Sequence, residues 1–136
     1  MNYLLDTNAC VALINGTSDK VRARYAWAVG SGAVMSTSSI VAHELWYGAF
    51  KSALVEQNAR RLEEFLAQDL RMLDFSERDA RAAGEIRAEL ERKGRRIGEY
   101  DTLIAGQAYA RRLILVTANT REFRRVKGLT VEDWTL

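Results

Sequence analysis

Tyr3-Leu4-Leu5-Asp6-Thr7-Asn8 is the stretch whose reading decides the fold. Its apolar residues read as a short buried strand, and Asp6 arrives where that strand must end. Thr7 or Asn8 is placed to cap a helix that follows. In an open α/β sheet, ligand sites lie outside the carboxyl ends of the strands. An acid delivered there points into a site and not into the core. Capping alone also accounts for an Asp before a helix, so Asp6 needs company to signify chemistry. Glu44 and Asp101 supply it, each in a setting that capping or solvation explains less well.

Outward from that stretch, short apolar strands alternate with helices. The pattern predicts helices over about 8–14, 19–29, 39–50 and 57–67, with Gly16 and the 30–32 segment as stops and Ser38 or Ser39 as a cap. Strands are expected at 33–36, 72–75, 113–116 and 129–131, and a short turn at 122–125. Ser76 with Asp79 three residues on has the form of a capping box, opening a charged helix to Lys93 that Gly94 breaks. Asp101 falls in the first turn of the next helix, which runs to about Arg112. Alternation of this kind implies parallel pairing. The expected fold is a single α/β domain over 1–136, a three-layer α/β/α sandwich around a short central parallel sheet.

A chain of 136 residues with 48% hydrophobic and 28% charged residues has the make-up of a globular domain. At that length it buries about two-thirds of the unfolded surface. Nothing before Asp6 resembles a signal peptide, and no apolar run approaches the roughly 18 residues of a membrane span. Cys10 is the only cysteine, which excludes an internal disulfide and suits a reducing cytoplasm. The net charge is +2, but 11 of the 20 Lys and Arg residues lie between Arg87 and Lys127. They include Arg92, Lys93, Arg95 and Arg96, then Arg111, Arg112, Arg121, Arg124, Arg125 and Lys127. Solvated helix faces account for part of this. A polyanion accounts for the clustering better, because each cation that neutralises a phosphate releases a counterion.

Glu44 carries the most information. Its helical neighbours at three and four residues are Ile40, Val41, Tyr47 and Gly48, mostly apolar or small. A carboxylate there is costly to ionise unless a cation or a donor meets it. Asp101 enjoys the free amides and dipole of a helix N-terminus, and the apolar helix behind it is expected to be central. Its N-terminus then opens at the same sheet edge as Asp6. Three converging carboxylates repel one another, and they are stable only with partial protonation or a hard cation. Oxygen ligands without a His or Cys pair favour Mg²⁺ or Mn²⁺ over zinc. Such an ion beside a basic surface reads as metal-dependent phosphodiester hydrolysis.

Four stretches then resemble one family. They are Leu4-Leu5-Asp6-Thr7-Asn8, Ser39-Ile40-Val41-Ala42-His43-Glu44-Leu45, Ile97-Gly98-Glu99-Tyr100-Asp101-Thr102-Leu103-Ile104-Ala105, and Leu115-Val116-Thr117-Ala118-Asn119-Thr120-Arg121-Glu122-Phe123. In this order and spacing they are similar to the PIN-domain ribonuclease toxins of the VapC type, over nearly the whole chain. The resemblance implies a PIN-like α/β/α fold, a Mg²⁺-dependent endoribonuclease acting on transfer RNA, a VapB-type antitoxin and a homodimer. Asp6, Glu44 and Asp101 match the family's acidic positions as catalytic residues and metal ligands. A fourth acid commonly stands where this chain has Asn119, and Glu122 can partly replace that charge. Asn8 and Thr117 are the candidates to orient carboxylates. Arg92, Lys93, Arg95, Arg96, Arg121, Arg124, Arg125 and Lys127 are the candidates to hold RNA phosphates.

Rival readings meet the same residues less well. The strand into Asp6 and the one into Thr117 also resemble haloacid-dehalogenase-type phosphatases, which need a second Asp where Asn8 stands. A non-catalytic RNA- or protein-binding module on the same fold would bind RNA unchanged by Asp6→Asn. His43, the only histidine, is about 100° round its helix from Glu44 and is expected to play a structural or surface role. Trp46, Tyr47 and Phe50 form an aromatic-rich face, a candidate protein interface wherever it is exposed.

Overall fold

The computed structural model describes residues 1–136. Chain order is β1 Asn2–Leu5, α1 Thr7–Asn15, α2 Asp19–Gly30, β2 Val34–Ser38, α3 Ser39–Lys51, α4 Val55–Leu66, β3 Arg71–Leu73, α5 Glu77–Arg92, α6 Glu99–Ala110, β4 Ile114–Val116, α7 Thr120–Phe123 and β5 Val131–Glu132. All pairings are parallel, in the order β3-β2-β1-β4-β5. In β1, Tyr3, Leu4 and Leu5 are all buried although they alternate between faces. Both faces of the central strand are therefore covered, as parallel sheets require.

The chain steps outward from β1 through β2 to β3, then returns to β4 on the other side of β1. Right-handed crossovers in opposite directions send their helices to opposite faces. The switch point lies between β1 and β4, and a crevice opens beyond their carboxyl ends. Asp6 follows the first of these strands and Thr117 the second.

Two strand expectations shift. The strand expected at 72–75 is Arg71–Leu73, because its register is set by Ser36, Thr37 and Ser38 of β2, which ends there. The carbonyls of Leu73 and Asp74 accept instead from Gln107 Nε2 at 3.3 and 3.2 Å, and Asp74 O also accepts from Arg111 Nη2 at 2.9 Å. The last strand, expected at 129–131, is Val131–Glu132, since the Leu129 amide turns back to Val126 O at 3.3 Å. The turn expected at 122–125 is the short helix α7.

The Ser76–Asp79 capping box is present, but Asp79 does more than cap. It is fully buried, and Arg111 grips it with Nε to Oδ1 at 3.2 Å and Nη2 to Oδ2 at 2.9 Å, while Gln107 Nε2 donates to Oδ2 at 3.2 Å. Desolvation raises the acid's pKa, and donation from Arg111 and Ser76 outweighs it, leaving the carboxyl below its ordinary value. Arg111 is thereby removed from the cations available to a polyanion.

This network fixes the pair α5–α6, which carries Asp101. Its closest approach is at Gly106, where an added Cβ would stand 2.6 Å from the backbone N and Cα of Ala83. Gly106→Ala is expected to destabilise by roughly 1–3 kcal/mol through overpacking, against a helix-propensity gain of about 1 kcal/mol. At Gly84 of α5 nothing stands within 4 Å of an added Cβ. Gly84→Ala should therefore stabilise by about 0.5–1 kcal/mol. Urea midpoints moving in opposite directions for the two variants are the expected result.

Candidate active site

Asp6 leaves β1 in an extended conformation, φ −80° and ψ −177°, and its Oδ1 accepts from the Ala9 amide at 3.0 Å. Asp6 itself is therefore the N-cap of α1, as an Asp before a helix can be, and the expectation that Thr7 or Asn8 caps is corrected. The strand ends one residue earlier than a Thr7 or Asn8 cap requires. The Asp6 N–H donates to Val116 O at 3.1 Å, pinning the residue between β1 and β4.

Released from capping, the next two side chains serve the site. Thr7 Oγ1 donates to Glu44 Oε1 at 2.7 Å. Asn8 Nδ2 donates to Asp6 Oδ2 at 3.0 Å, and its Oδ1 accepts from the Ala118 amide at 3.1 Å, tying α1 to the end of β4. Ser38 caps α3 by accepting from the Ile40 amide at 3.0 Å. Ser39 Oγ accepts from the Phe75 amide at 3.1 Å. The helix so started carries Glu44 across to α1.

Asp101 lies in the first turn of α6. Asn119 Nδ2 faces two carboxylates, Asp101 Oδ2 at 3.5 Å and Glu122 Oε2 at 2.8 Å, while its backbone amide donates to Thr117 Oγ1 at 2.9 Å. Asn119 thus presents a donor where a fourth acid would add charge, and Glu122 brings that charge beside Asp101.

Asp6, Asn8, Glu44, Asp101 and Asn119 line one open cleft of about 420 Å³, with Thr17 at its wall. Asp6 is 3% exposed. Desolvation pushes its carboxyl up to about 6, resisted by the Thr117 side chain and the Ala9 amide and reinforced by the negative charges of Asp101 and Glu44. Asp101 is also pushed up to about 6, first by burial, then by contact with Glu122 and by the charges of Glu122 and Glu44, with Asn119 opposing.

No three Asp, Glu, His or Cys side chains are already drawn together as a metal-holding group. The cleft is nevertheless of the right chemistry for a hard cation. Its donors are oxygens, its carboxylates are partly desolvated, and they repel one another. Mg²⁺ keeps several waters and uses few protein ligands, so an open cleft suits it better than a closed cage.

The candidate phosphate-binding cations divide into two groups. Arg92 Nη2 and Lys93 Nζ pair with Glu89 at 3.0 and 3.1 Å, and Arg96 Nε lies 3.9 Å from Glu91. Arg125 Nη1 donates to Arg96 O at 2.8 Å. Arg95, Arg121, Arg124 and Lys127 make no ion pair within 4.0 Å and are the freer cations.

His43 meets a different partner from Glu44. Its Nε2 is 3.3 Å from the Tyr100 hydroxyl, and the rings meet edge to face at 5.6 Å. Trp46 stacks on Phe50 at 5.4 Å, and Tyr47 and Phe50 are exposed. Sequence reasoning missed Thr7 as Glu44's partner and Tyr100 as His43's. Both stand next to a site acid, but only the packing of α1, α3 and α6 makes the pairs.

Residues 3–129 match the PIN domain family. A tRNA(fMet)-specific endonuclease VapC of Shigella flexneri is 44% identical over 134 residues, 98% of each chain. A crystal structure of VapBC2 from Rickettsia felis, bound to a promoter DNA fragment, contains a chain 41% identical, with a TM-score of 0.91 over 98% of this chain and 99% of that one. A DNA-bound VapBC structure from Salmonella typhimurium gives 42% identity and a TM-score of 0.90 over 98% of both chains. The order of the parallel sheet, the acids gathered at its switch point and these likenesses lead to one assignment: the chain belongs to the PIN-domain family, among its VapC ribonucleases.

Proposed function

We propose that this protein is the toxin of a type II toxin–antitoxin pair, an endoribonuclease that cuts transfer RNA with Mg²⁺ or Mn²⁺ held by Asp6 and Asp101, with Glu44 reached directly or through water. One observation carries the reading: a nearly buried carboxylate at the β1–β4 switch point, raised further by the charges of Asp101 and Glu44. A cation held here would supply positive charge to a phosphoryl oxygen and lower the pKa of water so that hydroxide is available as the nucleophile. The chain's own residues orient the carboxylates. Asn8 and the Ala9 amide hold the two oxygens of Asp6, Thr7 holds Glu44, and Asn119 spans Asp101 and Glu122. Arg95, Arg121, Arg124 and Lys127 are the first cations we assign to RNA phosphates, with Arg92, Lys93, Arg96 and Arg125 reached only by breaking existing bonds.

The Shigella relative's name specifies tRNA(fMet), so initiator tRNA is the first substrate to try. The solved relatives are VapBC pairs, and a VapB-type antitoxin is proposed here too. A groove lined by Val11, Ile14, Leu45, Gly48, Ala49 and Leu62 leads away from Glu44 and offers apolar surface for it. Trp46 and Phe50 are further anchors. An arginine from such a partner would match the carboxylate pair of the cleft. No helix is long and apolar enough to cross a membrane. Burial pushes the thiol of the lone Cys10 up to about 12, and from the family likeness we place the protein in the cytoplasm, as a homodimer.

Three outcomes test this reading. With initiator tRNA and Mg²⁺, sequenced cleavage ends should map to one site. Folded Asp101→Asn protein should cut at least ~100-fold more slowly, about 3 kcal/mol in barrier. Full activity in that variant refutes the assignment.

Stability should report the buried charge. Because the Asp6 carboxyl titrates at about 6 in the fold against 3.8 unfolded, the native state holds a proton that the unfolded chain has released between those values. Stability from this group is therefore greatest below about pH 4 and is lost as pH rises through 6, by on the order of 3 kcal/mol. In chelator, Asp6→Asn keeps the cap and loses the charge. Its Tm should exceed that of the wild type at pH 7.5 by on the order of 10 °C and by much less at pH 4.5. Mg²⁺ or Mn²⁺ at pH 7.5 should close the gap by stabilising the wild type alone. A gap independent of pH would show that Asp6 is not a buried charge.

Removing two free cations, Arg121→Gln with Arg124→Gln, should flatten the salt dependence of RNA binding by about 1.4 units of slope for a single strand or about 1.8 for a duplex. Removing the paired Arg92 and Lys93 should change it less. Equal slopes for both double variants would count against this division of the basic cluster.

A further inference from the structure

We propose that Tyr100 and His43 form a platform on the rim of the carboxylate cleft where the RNA stacks a nucleobase next to the phosphate being cut. The inference rests on the ribonuclease reading of that cleft and adds a residue-level account of how the substrate is held there.

Sequence adjacency places the pair. Tyr100 directly precedes Asp101 in α6, and His43 directly precedes Glu44 in α3. Consecutive Cα atoms are about 3.8 Å apart, so each ring is rooted one residue from a site acid. The turn of about 100° per helical residue carries each ring off the cleft wall occupied by its neighbour. Both residues are exposed, Tyr100 by 47%.

Packing then brings together two helices far apart in sequence. The Tyr100 hydroxyl and His43 Nε2 stand 3.3 Å apart, and the rings meet at 60° with centroids 5.6 Å apart. Among the side-chain hydrogen bonds it is the one that joins α3 to α6. Each ring restrains the other before any ligand arrives, which reduces the entropy lost on binding.

The surroundings favour a base as the occupant. The cleft floor is anionic and repels phosphates whenever it lacks a cation, so the substrate needs a grip that charge does not oppose. Stacking provides one, because every base has a π-face. Unpaired loop bases, splayed out of a helix, are what proteins characteristically stack on aromatic rings. The other exposed aromatics have different neighbours. Trp27 lies under the Arg24 guanidinium at 4.7 Å, Tyr47 under Lys51 Nζ at 4.8 Å, and Phe50 against Trp46 at 5.4 Å, while Tyr109 stands beside Gly128 at the opposite end of α6 from Asp101. Of the exposed aromatic pairs, the one formed by Tyr100 and His43 borders two site acids.

The test measures binding apart from cleavage. Asp6→Asn protein is titrated by fluorescence anisotropy against a labelled RNA stem-loop whose loop contains the cleavage site mapped with the wild type. Adding Tyr100→Ala should weaken binding by about 5- to 100-fold. Tyr100→Phe, which keeps the ring and loses the hydroxyl, should stay within about 3-fold. Abasic substitution of the loop nucleotides one at a time should reveal one position that costs the Tyr100 protein the same factor and costs Tyr100→Ala nothing further. In the active background, Tyr100→Ala should raise KM with kcat little changed. Unchanged affinity in folded Tyr100→Ala, or abasic and Tyr100 losses that simply add, would overturn the platform and leave the ribonuclease reading intact. A change in molar mass on Tyr100→Ala, measured by light scattering, would assign the pair to contact between copies of the chain and overturn it as well. If the Tyr100 protein binds and cuts no RNA, both readings fail together.

Discussion

A carboxylate that is 3% exposed is held at the end of β1, and the site is built around that constraint. A buried charge must be met by donors or by another charge. The fold meets Asp6 with the Ala9 amide at the start of α1, with the Asn8 amide and with the side chain of Thr117. Burial still outweighs these partners, and the carboxyl rises to about 6. The like charges of Asp101 and Glu44 add a smaller push in the same direction. A fold selected for stability alone would have neutralised the group. The remaining imbalance makes the cleft receptive to a cation.

Much of the neighbouring structure follows from delivering three acids to that one place. Asp6 serves as both cap and site residue, and this frees Thr7 to bind Glu44 and Asn8 to bridge Asp6 to the end of β4. Asp101 depends on more remote packing. Its helix lies against α5 through the Gly106–Ala83 approach and is locked to the end of β3 by the Asp79–Arg111–Gln107 network. A buried pair of this kind is weak evidence of net stability, but breaking one partner leaves an uncompensated charge. Its contribution here is to hold the C-terminal end of α6 against α5 and the end of β3.

Charge is distributed less simply than a count of Lys and Arg implies. The basic stretch contains cations already satisfied by Glu89, Glu91 and Asp79 as well as cations with no such partner. Only the latter can meet a phosphate without first giving up an existing interaction. Exposed pairs such as Arg92–Glu89 are worth little, so a polyanion could recruit those cations at small cost, whereas Arg111 is held by its bidentate grip on the buried Asp79 carboxylate. The basic surface is therefore graded, and residues equivalent in sequence differ in how free their charge is.

The sequence by itself determined the alternation of strands and helices, the capping box, the position of each acid at an element's start or on an apolar helix face, and the resemblance that named the family. Those features are local: strand and helix periods, caps and spacing depend on neighbours within a few residues. Ends of short edge strands were legible only to within two residues, because β3 and β5 take their register from β2 and β4 and not from their own residues. Tertiary structure alone decided that Thr7 meets Glu44, that Asn119 lies between Asp101 and Glu122, and that His43 pairs with Tyr100. Three of these pairings span 18 to 57 positions. They arise because the β1–β4 switch point and the packing of α1, α3 and α6 bring distant segments to one edge, and no local pattern of residues encodes which side chains then come within hydrogen-bond reach.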